Sequence, residues 1–130
     1  MTGSGNHPTV FVLNDSDAAR NCERILSSSG YRVETRDDGG AELDVVMQAR
    51  PEAVIVDLRH PCNECLRLIQ KIRRGDQQIA IIVIAASPTV RNAVDALKAG
   101  ADEILLEPFS SDELMLMVAA ALKQRRDGSC

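Results

Sequence analysis

A chain of 130 residues that is 45% hydrophobic and 26% charged is long enough for one domain with a real core and too short for two, which excludes a wholly disordered protein. A net charge of -4 at pH 7 leaves no electrostatic footprint for direct nucleic-acid binding, and one Tyr and two Phe with no Trp offer almost no ring surface for stacking a base or a flavin. No apolar run approaches a bilayer span and MTGSGNHPTV lacks the layout of a secretory signal, so the expectation is a cytoplasmic domain without membrane contact, its four cysteines reduced.

In chain order, TVFVLN (9–14) is a short β-branched and apolar run that predicts a strand. Asp15-Ser16-Asp17 then opens a helical pattern with Ala18, Cys22, Ile25 and Leu26 on one face, and Gly30 stops it. Tyr31 to Arg36 alternates Tyr31, Val33 and Thr35 with charge, as a half-exposed edge strand does. Asp37 to Gly40 turns into a second helix with Leu43, Val46 and Ala49 on its buried side, ending before Pro51. Ala53–Val56 and Ile79–Ala85 are apolar without alternation, the mark of parallel strands covered on both faces, and a helix carrying Leu66, Ile69 and Ile72 lies between them. Pro88 stands in the first turn of a helix whose Val90, Ala93, Val94 and Leu97 recur at helical spacing, and Gly100 closes it. Glu103–Leu106 is a last strand, and Ser110 with Glu113 reads as a capping box for a final helix through Leu114, Met117, Ala121 and Leu122.

Five strands alternating with five helices predict an α/β fold: a doubly wound five-stranded parallel sheet of order 2-1-3-4-5, flavodoxin-like, with its switch point between the first and third strands. The domain is expected to span 9–124, with tails at 1–8 and at 125–130, where Lys123-Gln124-Arg125-Arg126 suits the start of a linker. Ligands in such sheets bind beyond the carboxyl ends of the strands, where Asn14, Asp15 and Asp57 stand. Carboxylates brought together there repel unless a cation separates them; hard oxygen ligands suit Mg²⁺, and a carboxylate beside it can attack phosphorus to form an aspartyl phosphate. Taken singly, Asp15 capping a helix and Asp57 capping a turn explain the same residues.

VFVLND, PEAVIVDLRHP and AVDALKAGADEILLEPF, spread over Thr9 to Lys123, together resemble the response-regulator receiver domain of two-component signalling. The resemblance implies a signalling module, not an enzyme, with Asp57 as phosphoacceptor, Asp15 and the backbone carbonyl of Arg59 as Mg²⁺ ligands, and Glu107-Pro108 as a cis peptide. It also implies a histidine kinase or phosphotransfer protein as donor, a downstream effector domain such as a transcription regulator, and a homodimer through the face of the last two helices and last strand. Several positions depart from the family's pattern. Asn14 replaces a second acid and would act through a water, Ala85 replaces Thr or Ser, Ile104 replaces an aromatic residue, Glu107 replaces Lys and Cys65 replaces Gly. Glu107 cannot donate to a phosphoryl group while ionised; at ~5 Å and an effective dielectric of about 20, one misplaced unit charge costs roughly 3 kcal/mol per phosphate charge before screening. An atypical receiver with weak Mg²⁺ binding is therefore expected, with Arg59 and Arg91 either compensating or lying solvated.

Cys62-Asn63-Glu64-Cys65 is a CxxC beside Asp57, and with His60 it makes three zinc ligands where a structural zinc wants four. It carries one alternative reading, a thiol-redox or zinc-responsive module on the same fold, against the plainer one of two small residues in a loop, while the changed pocket positions carry another, a phosphorylation-independent dimerisation or docking domain. Without G-x-G-x-x-G or a hydroxyl-rich phosphate loop after the first strand, a nucleotide-dependent enzyme is disfavoured.

Overall fold

The unbroken apolar runs become the middle of a parallel sheet, as their lack of alternation predicts. The computed structural model describes residues 8–13, 17–36, 46, 48–58, 63–86 and 90–128; at 36, 58, 63–65, 90 and 126–128 it describes the backbone only. The strands are β1 (Thr9–Leu13), β2 (Arg32–Arg36), β3 (Ala53–Leu58), β4 (Ala80–Ala86) and β5 (Glu103–Glu107), in the order β2-β1-β3-β4-β5. Every pairing is parallel, with Val10 opposite Ala53, Asp57 opposite Ile84 and Ala86 opposite Glu107. The helices delimited among the described residues are α1 (Asp17–Ser28), α2 (Asn63–Gly75), α3 (Val90–Ala99) and α4 (Ser111–Gly128). Most of the helix expected around Leu43 falls outside the described residues, although Val46, Gln48 and Ala49 are helical.

The pleat sends alternate residues of each strand to two cores. Val10, Val12, Ile55, Ile82, Ile84 and Leu105 face Cys22 and Leu26 of α1 and Leu114, Val118 and Ala121 of α4. Phe11, Leu13, Val54, Val56, Ile81 and Val83 face Ile69 and Ile72 of α2, Ala96 and Ala99 of α3, and Val46. Burying a side chain of Val, Leu or Ile size is worth about 1.5–3 kcal/mol, so these two layers supply the main drive to fold.

Helix ends follow the predicted chemistry. Ser110 Oγ accepts from the Glu113 N–H at 3.1 Å and Glu113 Oε1 accepts from the Ser110 N–H at 2.9 Å, a reciprocal capping box. At the end of α1 the Tyr31 N–H reaches Leu26 O and the Gly30 N–H reaches Ser27 O; at the end of α3 the Ala101 N–H reaches Ala96 O and the Gly100 N–H reaches Leu97 O. Both are Schellman closures, and Gly30 (φ 98°) and Gly100 (φ 129°) adopt the positive φ they require.

Four expectations need correction. The α3 stripe does not face the sheet: Val94 is 39% and Leu97 49% exposed, whereas Ala96 and Ala99 are buried. The alanines let the helix seat closely, which leaves the larger side chains outside the core. Ala49 is exposed because its helix ends there, Arg50 already being left-handed at φ 50°. Thr35 lies exposed near the end of the edge strand instead of sharing the packed face of Tyr31 and Val33. The last helix continues to Gly128, past the expected boundary at 124, because Arg125 is tied back to the sheet by Asp102 and Gln77.

Candidate functional site

Asp57 is the fifth residue of the six-residue β3, at the carboxyl end of the sheet next to the switch point. Sharing the pleat parity of Ala53 and Ile55, it points to the α1 and α4 side, and it is buried at 3% exposure. Glu107 ends β5 with the parity of Leu105 and is half-buried, so both carboxylates lie on one side of the sheet, with β4 between them. Cys22, fully buried on α1, feels both. Burial first, then the negative charge of Asp57, then that of Glu107, pushes its thiol up to about 12. A thiol so shifted stays protonated and unreactive near neutral pH.

The remaining positions separate clearly. Ala85 is buried at 1% exposure in β4, and Ile104 packs half-buried against the second core, so neither offers a polar group to the cleft. Arg91 is exposed on α3. The Glu107–Pro108 peptide is cis, as the resemblance implied. Asn14, Asp15, Arg59, His60, Pro61 and Cys62 fall outside the described residues, and of Cys65 only the backbone is described, in the first turn of α2. Among the described residues, Asp57 and Glu107 thus stand at strand ends on the side of the sheet that α1 and its Cys22 cover. Among the described residues no group of three or more His, Cys, Asp or Glu gathers into a metal cluster, and the Asp57 carboxylate is a hard oxygen donor of the kind that fits Mg²⁺.

One constellation escaped sequence reasoning. At the opposite end of the sheet, Arg73 near the end of α2 and Arg125 near the end of α4 converge on Asp102, whose side chain is 4% exposed. A cavity of about 350 Å³ lined in part by Arg50, Asp76, Gln78 and Arg125 adjoins it. This cavity is remote from Asp57. Some of its polar groups are committed within the protein: Asp76 Oδ1 accepts from the Gln78 N–H at 2.8 Å, and Arg125 is bound to Asp102 and Gln77.

A doubly wound five-stranded sheet of this order, with a buried Asp at the carboxyl end of its third strand, has the architecture of a receiver fold. The chain belongs to the response regulator receiver domain family, which it matches over residues 10–119. It is 33% identical over 124 residues to the transcriptional regulatory protein PrrA of Mycobacterium leprae, covering 95% of this chain and 53% of that protein. It is 34% identical over 116 residues to the response regulator MprA of Mycolicibacterium vanbaalenii, covering 88% of this chain and 50% of that one. The chain thus spans about half the length of these curated relatives. In fold it is similar to a response regulator receiver domain protein (CheY-like) from Methanospirillum hungatei, with a TM-score of 0.83 at 21% identity over 94% of this chain and 98% of the other.

Proposed function

We propose that this receiver takes a phosphoryl group on Asp57 and reports it by an atypical route. The observation that carries this is the buried Asp57 carboxylate at the carboxyl end of β3 in a receiver fold. In the transfer, an Asp57 oxygen forms the O–P bond while the P–N bond to a donor phosphohistidine breaks, and the electron pair returns to the imidazole, which takes up a proton. Asp57, Asp15, the Arg59 carbonyl and Asn14 through a water are the residues that would hold Mg²⁺, which when bound offsets charge on the phosphoryl oxygens. The donor is a histidine kinase or phosphotransfer protein.

Glu107 sets the character of the site. Standing where the family has Lys, it offers an anion in place of a charge-assisted donor, and Ala85 and Ile104 supply neither a hydroxyl nor an aromatic ring to follow the phosphoryl group. Output then rests on surfaces. Val94, Leu97 and Leu106 are exposed on α3 and β5, which supports a homodimer or effector docking through the α3, β5 and α4 face. Regulation of an attached effector such as a transcription regulator accords with the relatives named as transcriptional regulators. No helix among the described residues is long and apolar enough to cross a membrane.

The test is incubation with acetyl phosphate and Mg²⁺, read by intact mass over time for the wild type, Asp57→Asn and Glu107→Lys. The reading expects slow phosphorylation of the wild type, none in Asp57→Asn, and faster or longer-lived phosphorylation in Glu107→Lys. A phosphorylated species that persists in Asp57→Asn removes Asp57 as acceptor. Equal behaviour of wild type and Glu107→Lys removes the role given to Glu107.

A further inference from the structure

Asp102 sits just before β5, at the end of the sheet remote from Asp57, and gathers donors from three elements. Its Oδ2 accepts from Arg73 Nη2 of α2 at 2.8 Å and from the Ile81 N–H of β4 at 2.8 Å. Its Oδ1 accepts from Arg125 Nε of α4 at 2.8 Å and from Arg125 Nη2. Arg73 spends its other donors on the carbonyls of Gly100 (3.1 and 3.0 Å), Ile79 (2.7 Å) and Gln77 (3.3 Å), thereby fixing the segments on either side of β4. Arg125 Nη1 donates to that same Gln77 carbonyl at 2.8 Å. Both groups that accept from Arg125 are therefore groups that Arg73 also holds.

Seen along the chain, α2 begins five residues after Leu58, so Arg73 lies on the helix that follows β3, the strand that carries Asp57. The other arginine stands in the last turns of the last described helix. We infer that Asp102 is a latch coupling α2, the helix that follows β3 in the chain, to the end of α4, with Arg73 preorganising the acceptors that bind Arg125 there. This goes beyond phosphorylation at Asp57 and stands whether or not that transfer occurs, because the coupling is a property of the unmodified fold. Its physical basis is that a guanidinium fork gives up several directional hydrogen bonds at once, so displacing Arg73 unfixes Gln77 and Asp102 together.

The experiment is native-state amide hydrogen exchange on the wild type, Arg73→Met, Arg125→Met and the double variant, without phosphodonor. Both single variants are expected to speed exchange at 122–128 by roughly ten- to a hundredfold, the range that loss of one charge-assisted hydrogen bond gives. The double variant should then be no faster than the faster single. Rates at 122–128 that stay at the wild-type level in Arg73→Met overturn the latch, as does a rise spread evenly over β1, β3 and α4, which would mean general destabilisation. Should Arg73→Met not fold, Arg73→Lys keeps the charge, removes the fork and is read in the same way.

Discussion

Gly100 and Gly30 close helices by the same hydrogen bonds, yet replacing them with Ala should cost very different amounts. Both have positive φ, so each Ala forces a backbone that L residues adopt at a cost of about 1–2 kcal/mol. At Gly30 nothing lies within 4 Å of an added Cβ, so the cost stops there. At Gly100 that atom would stand 2.9 Å from Arg73 Cβ and 3.0 Å from Cγ, the root of the side chain, which cannot swing away without carrying the guanidinium. Arg73 then loses its grip on Gly100 O and Asp102, at about 1.5–3 kcal/mol for a hydrogen bond to a charged group. The total for Gly100→Ala is roughly 2.5–5 kcal/mol, a large share of the ~5–15 kcal/mol that stabilises an ordinary domain. Urea unfolding followed by circular dichroism at 222 nm measures both variants. In an Arg73→Ala background, where the hydrogen bonds are already gone, the cost of Gly100→Ala should fall by about 1.5–3 kcal/mol. Equal losses at the two glycines, or no fall in that background, would refute the assignment of the difference to Arg73.

Two other expectations are simpler to check. Cys22, its thiol pushed up to about 12 from an ordinary 9.0, should resist iodoacetamide at pH 8 in the native protein and react on unfolding, as peptide mass mapping will show. Because its folded value is the higher one, the unfolded state loses that proton first; its contribution should be level below pH 9 and should subtract from stability between pH 9 and about 12. Ser110→Ala removes one half of the capping box and should cost about 1 kcal/mol in urea unfolding, whereas Ser110→Asp should recover most of it; an unchanged midpoint for Ser110→Ala would show the cap to be idle.

Much of the architecture was legible because it depends on local rules. The unbroken runs in β3 and β4, Gly30 and Gly100 at helix ends, and the Ser110–Glu113 pair each carry a short-range cause that needs no partner elsewhere. The seating of α3 was not legible, since helical spacing finds two stripes, Val94 with Leu97 and Ala96 with Ala99, and only the closeness of approach chooses the smaller pair. The end of α4 was hidden for a related reason. Lys123-Gln124-Arg125-Arg126 looks like solvated charge until Asp102, distant in sequence, is placed beside Arg125. At the site, Asp57 stood out by its position after an apolar run, whereas the joint effect of Asp57 and Glu107 on Cys22 exists only once three elements meet.

The strand order also governs how the chain can assemble while it is being made. β1 lies inside the sheet, with Val10 against Ala53 and Leu13 against Val56, so one of its edges has no mate until β3 has left the ribosome. β2 can cover the other edge earlier, and β4 and β5 then join outward in turn. Closing that inner seam needs a long loop before any burial rewards it, so a nascent chain halted ahead of Ala53 carries a bare, apolar strand edge open to proteases and to other chains.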